Sequence, residues 1–322
     1  MCIRDRDPSA LDELHPVDSQ ELQPVSIPQG TVKQFWLTMQ IPEATASGTY
    51  RGSVRLSSRS TGMLELPLEV TVHDFELSQP KMTYAIYYPG KLSAEQPRGT
   101  IAAHYKSEEQ MRAELSDMLA HGVRYPNLWQ AYSRELVPRA LQLRRETGMP
   151  NDQLFINMPP GAPASAAGTV NGWRELTNPF GYKDIYLYGL DEAYGTQLRI
   201  QKPSWENVQK AGGKIYASAW KEDPFEVMGS RLNVLVWSGG CQPEMARKWH
   251  SVGSKIFSYS NPQVGVEEPL LYRYNFGLAR GSQVMMERWT LPTSTLTATS
   301  GMTLTAKNSA TTVLPIQQPR EL

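Results

Sequence analysis

Asp191 and Glu192 stand side by side at the end of GYKDIYLYGLDEA, the segment from Gly181 to Ala193. Two adjacent carboxylates suit general acid–base chemistry, in which one acid holds its charge while the other gives and takes a proton. Ile185, Tyr186, Leu187 and Tyr188 are good strand formers with no charge among them, and Gly189 then frees the backbone. A strand that ends in Gly-Leu-Asp-Glu, with a helix-like segment behind it, delivers both acids to one rim of a sheet. Open α/β folds and (β/α)8 barrels keep their chemistry there. Side chains alternate faces only while a strand is regular, so a bend at Gly189 would let both acids face one pocket. The plainer reading is that the two acids merely start the next helix, where negative charge suits the dipole.

The elements needed to position such a pair are visible in the periodicity. From about Leu22 to Leu77 the pattern alternates through TVKQFWLTMQI, GTYRGSVRLSS and GMLELPLEVTVHDFEL, separated by Pro, Gly and Ser clusters, which predicts an antiparallel β-sandwich. After Gln79-Pro80 the rhythm changes to apolar strand, amphipathic helix, apolar strand. MTYAIYY reads as a strand, and SEEQMRAELSDMLAHG as a helix with Ser107 as N-cap, a buried stripe of Met111, Leu115, Met118 and Leu119, and Gly122 as its stop. YPNLWQ, QLFINMPP, DIYLY, KIYASAW, RLNVLVWSGG, KIFSYSNPQ and SQVMMERW continue the series of strands. Eight strands alternating with helices predict a parallel (β/α)8 TIM-type barrel. The expected organisation is 1–6 as a sequencing or assembly scar, 7–79 as the β-sandwich, 80–289 as the barrel and 290–322 as a Thr/Ser-rich, frameshifted tail, leaving the barrel incomplete at its C-terminal end.

Composition excludes several classes of function. The chain has 322 residues, 40% of them apolar, enough to bury a large core, and a formal net charge of zero with no long basic run, which argues against a nucleic-acid partner. No apolar run approaches the roughly 18–20 residues of a membrane span. With two cysteines and five histidines at no ligand spacing, neither a disulfide framework nor a metal site is expected. Neither G-x-G-x-x-G nor G-x-x-x-x-G-K-[ST] occurs, so no cofactor is expected. The strand ends instead carry aromatic and amide residues: Tyr88, Asn127, Trp129, Asn157, Trp220, Trp237, Tyr259 and Asn261. Sugars offer C–H faces to rings and hydroxyls to amides, so this rim suits a carbohydrate; each aromatic taken singly is better explained by packing, and their collective position at the strand ends is the argument.

LPLEVTVHDFELSQP, MLAHGVRYPN, YLYGLDEA and SYSNPQVGVEEPLLYRYNFGL together resemble the catalytic region of glycoside hydrolase family 123 and its (β/α)8 relatives, over roughly Gly48 to Gly281. The resemblance implies a retaining, substrate-assisted β-N-acetylhexosaminidase of the N-acetylgalactosamine type. In it Asp191 orients the acetamido N–H of the sugar and Glu192 protonates the leaving oxygen. It further implies Tyr259 or Tyr216 as hydrogen-bond partner of the acetamido oxygen and Trp220 and Trp237 as walls of the sugar site. Glu267 or Glu268, or else Arg273, in VGVEEPLLYR, would reach sugar hydroxyls, or form a Glu–Arg ion pair fixing that loop. In an inverting enzyme Glu267 would be the second carboxylate. A non-catalytic glycan-binding or surface structural module on the same fold is the competing expectation. MCIRDR has no signal-peptide character, and the glycan-degrading role implies a secreted or periplasmic protein, read as a truncated metagenomic fragment.

Overall fold

The computed structural model describes residues 26–30, 39, 41–42, 44–58, 62–75, 83–93, 104–221, 223–238 and 242–258, with the backbone alone given for 223 and for 287–290. The chain divides into two compact units. The first unit holds β1 (Gly48–Ser58) and β2 (Gly62–Val72), paired antiparallel from Gly48 opposite Val72 to Ser58 opposite Gly62.

That ribbon corrects the sandwich expectation. Among the described residues it has two strands and no second sheet. Leu56, Met63, Leu64 and Leu66 are exposed, while Tyr50 is buried and donates its hydroxyl to Ala46 O at 2.8 Å. Alternation predicted each strand, but alternation is a property of one strand and cannot say whether a facing layer exists. TVKQFWLTMQI, the remaining strand expected of the sandwich, lies largely outside the described residues.

The second unit is TIM-barrel-like. Its strands in chain order are β3 (Thr83–Ile86), β4 (Lys91–Leu92), β5 (Tyr105–Lys106), β6 (Tyr125–Pro126), β7 (Gln153–Ile156), β8 (Asp184–Tyr188), β9 (Lys214–Ala219), β10 (Val234–Trp237), β11 (Lys255–Ser258) and β12 (Glu287–Thr290). Five of them, β7 to β11, pair consecutively and in parallel as a curled half-barrel. β12, β3 and β6 extend the same sheet in the order β6-β3-β12-β11-β10-β9-β8-β7, and a parallel bridge between Leu128 and Ile156 brings the β6 edge beside β7. β4 and β5 form a separate two-stranded patch. The barrel is shown incomplete: no helix is described between β11 and β12 or after β12.

Among the described residues six α-helices connect these strands: α1 (Glu108–Ala120), α2 (Leu136–Glu146), α3 (Pro163–Thr177), α4 (Thr196–Lys210), α5 (Asp223–Met228) and α6 (Pro243–His250). Ser107 caps α1 by accepting the Gln110 N–H at 3.1 Å, and Gly122, at φ 82°, lets the chain leave the helix. Met111 and Leu115 are buried under that helix, with Met118 and Leu119 partly buried beside them. No described helix is long and apolar enough to cross a membrane.

Strand parity sorts the core into two layers. Leu154, Ile156, Ile185, Leu187, Ile215, Ala217, Leu235, Trp237 and Ile256 face the helices, where Trp173, Trp205 and Trp249 fill the gaps. The alternate positions, Ala85, Tyr87, Phe155, Tyr186, Tyr216, Val234, Val236 and Phe257, make a separate cluster inside the curl. Phe155 stacks on Tyr186 at 4.7 Å between ring centroids and meets Tyr216 and Phe257 edge-on at 5.2 and 6.0 Å. Edge-to-face and offset rings complement each other's quadrupoles, so these rings pack together in the interior.

Candidate active site

The acid pair lies between β8 and α4. α4 starts at Thr196, with Gly195 before it and no acid in its first turn, so Asp191 and Glu192 are not helix-starting residues. They belong to a short loop pinned at both ends. Gly189 N–H donates to Tyr216 O at 2.8 Å, Leu190 N–H to Gln201 Oε1 at 2.7 Å, and Tyr194 N–H to Gln197 Oε1 at 3.4 Å. The first turns of α4 therefore set the course of the loop.

The bend expected at Gly189 falls elsewhere. Glu192 has the left-handed φ, 49°, alone among the described non-glycine residues. Gly189 is needed for space: a Cβ there would stand 2.5 Å from Trp205 Cζ2 and 3.1 Å from the Ala217 Cβ. The end of β8 thus lies directly against α4, and the turn is made three residues later.

Asp191 is exposed yet held. Tyr188 Oη donates to its Oδ1 at 2.6 Å, and Ser218 Oγ, from the end of β9, donates to the same oxygen. Tyr188 Oη lies 3.2 Å from Ser218 Oγ and 3.2 Å from Tyr87 Oη. With the Tyr188 proton committed to the carboxylate, Tyr87 is left to donate to Tyr188. Tyr188, Ser218 and Tyr87 all point inward by strand parity, so the network is the uppermost layer of the ring-filled interior. Burial, then the bond to Asp191, pushes the Tyr188 phenol well above its ordinary range; burial does the same for Tyr87 and Tyr216. All three remain neutral donors at any physiological pH. Asp191 Oδ2 carries no hydrogen bond from the described residues, and Glu192, exposed, has no such partner either.

The other expected site residues distribute unevenly. Asn127 is fully buried, accepts the Tyr88 N–H at 2.6 Å and approaches Tyr216 Oη at 3.5 Å, so it braces the rim from within. Tyr216 lies beneath Tyr188, with centroids 4.7 Å apart, and is fully buried. Trp220 is on the rim and 51% exposed. Two expectations are corrected by parity. Tyr88 follows the inward Tyr87 and so faces the helices, its hydroxyl donating to Glu114 of α1 at 2.6 Å. Trp237 follows the inward Val236 and packs in the outer layer at 5% exposure, where it cannot wall a sugar. Tyr259, Asn261, Glu267 and Arg273 lie outside the described residues.

Tyr87, Ser218, Tyr194 and Lys221 went unnoticed in the sequence. Parity counted from Tyr186 would have turned Tyr188 inward and, across the sheet, Ser218 with it. Tyr194 and Trp220 are each about half exposed, with ring centroids 6.5 Å apart.

No family model matches the chain, and no curated protein matches it. Solved structures similar to it include a dihydrodipicolinate synthase (6% identity, 73% of this chain and 79% of that one, TM-score 0.42). Others are the N-acetylneuraminate lyase of Proteus mirabilis (12%, 67% and 72%, 0.40) and the homocysteine methyltransferase of Escherichia coli (8%, 66% and 90%, 0.40). Superpositions of this quality add nothing to what the strand order already shows.

Proposed function

We propose that the chain is a glycoside hydrolase acting on terminal β-linked N-acetylhexosamine, of the N-acetylgalactosamine type, by a retaining, substrate-assisted route. The observation that carries this reading is Asp191. Its Oδ1 is held by two hydroxyls from neighbouring strands, which orients the carboxylate, while Oδ2 carries no hydrogen bond from the described residues. In the proposed reaction the acetamido carbonyl oxygen of the sugar attacks the anomeric carbon, so no protein nucleophile is needed. Asp191 Oδ2 accepts the acetamido N–H and offsets the positive charge that builds on the oxazolinium ring. Glu192 gives its proton to the leaving oxygen and then takes one from the water that reopens the ring. The exposed rings of Tyr194 and Trp220 supply stacking surface for sugar C–H faces.

A second reading, a glycan-binding module without turnover, draws on the absence of any described partner for Glu192. One experiment separates the two. Full-length chain is assayed on aryl 2-acetamido-2-deoxy-β-galactoside and β-glucoside, alongside Glu192→Gln and with an oxazoline mimic as inhibitor. Turnover lowered at least about 100-fold by the substitution supports the hydrolase. Equal turnover in both proteins removes Glu192 from its role, and activity untouched by the mimic rules out the substrate-assisted route.

A further inference from the structure

Lys221 follows Trp220 at the exit of β9, and its Nζ lies 3.8 Å from the ring centroid of Tyr194 and 4.6 Å from that of Trp220. Lys106, Lys214 and Lys248 are each paired with a carboxylate; Lys221 has none among the described residues, and the two rings are what hold it. An ammonium held against ring faces loses side-chain freedom, so less is left to lose when it meets an anion. The position matters as much as the charge. Tyr194 is three residues past Asp191 in the same loop, and Trp220 is two past Ser218, which hydrogen-bonds that acid. Stacking surface and a cation with no carboxylate partner among the described residues therefore adjoin the acid pair on one rim.

We infer that Tyr194, Trp220 and Lys221 form a subsite for an anionic sugar. The sugar's C–H face lies on an exposed ring and its negative group on the Lys221 ammonium. This rests on the glycosidase reading and narrows its substrate to acidic glycans, in which the N-acetylhexosamine is followed by a sugar carrying a carboxylate or a sulfate ester. Hydrogen bonds between ions are shorter and stronger than neutral ones, yet on an open rim water and salt discount them, so the charge sharpens preference more than it raises affinity.

The test uses full-length Glu192→Gln, so that binding is read without turnover, and follows tryptophan fluorescence. Three trisaccharides ending in β-linked N-acetylgalactosamine are compared, with a hexuronate, the same sugar reduced to the neutral hexose, or that hexose 6-O-sulfated in second place. The expected result is about fivefold tighter binding of at least one charged trisaccharide at low salt. That preference should collapse toward one with Lys221→Gln or in roughly 1 M salt. Gain with the hexuronate alone, the sulfate alone or both identifies the anion. Equal affinity for all three, or a preference that survives Lys221→Gln, overturns the inference. Charge-dependent binding without hydrolysis in the parent would leave this subsite standing and remove the glycosidase reading; hydrolysis of the aryl glycosides without charge preference does the reverse.

Discussion

Replacing Tyr188 by Phe removes one hydroxyl and leaves its ring on Tyr216, which makes it a clean probe of the polar layer at the barrel mouth. Two bonds are lost: the one that Tyr87 donates at 3.2 Å, and a neutral donor on a carboxylate at 2.6 Å, a class worth about 1.5–3 kcal/mol. Asp191 is exposed, so water can replace the phenol there, which puts the cost near the lower bound, about 1.5 kcal/mol. For a unit of this size that is a fall of roughly 3–6 °C in Tm. The more searching measurement is a double-mutant cycle with Asp191→Asn, read by urea unfolding under tryptophan fluorescence. If Tyr188 and Asp191 act through one bond, the two losses should fall short of additivity by about 1 kcal/mol. Additivity to within about 0.3 kcal/mol would mean that the bond contributes nothing and that Asp191 is not held in place by β8.

Glu192→Gly should abolish turnover yet raise Tm by about 2 °C, because glycine adopts a φ near 49° without the roughly 1 kcal/mol penalty of a side chain; a lower Tm would contradict that backbone assignment. Gly189→Ala should cost about 1–3 kcal/mol, since its Cβ would meet the buried Trp205 ring, and denaturant unfolding that matched the parent would refute the close approach of β8 to α4. Alkali should unfold the barrel steeply. Tyr87, Tyr88, Tyr188 and Tyr216 are held protonated by burial, so their stabilisation is complete below the unfolded phenol pKa of about 10 and falls above it, by up to about 1.4 kcal/mol per pH unit for each. Phenolate absorbance should then rise together with loss of far-UV circular dichroism; reversible ionisation of all tyrosines near pH 10 in the folded protein would contradict it.

Much of the frame was legible because period and composition are local properties. KIYASAW, DIYLY and QLFIN announced β9, β8 and β7, and the Ser107 cap and Gly122 stop bounded α1 within a residue. What escaped was orientation. Tyr87 and Tyr88 are equal in the sequence, and only the neighbours of β3 determine which ring enters the interior. The same one-residue parity sent Trp237 outward and Ser218 inward. The facing layer of the sandwich was a claim about packing between segments, which no single segment encodes. The left-handed turn at Glu192 had no glycine to advertise it, and no spacing in the chain places Tyr194 beside Trp220 and Lys221.

The stacked rings of Phe155, Tyr186, Phe257 and Tyr216 act as a stopper. Among the described residues these rings occupy the interior beneath the acid pair, so a ligand of the mouth meets it from the loop side. The stopper also separates cohesion from chemistry, because its rings stand on the strands and the acid pair on the loop above them.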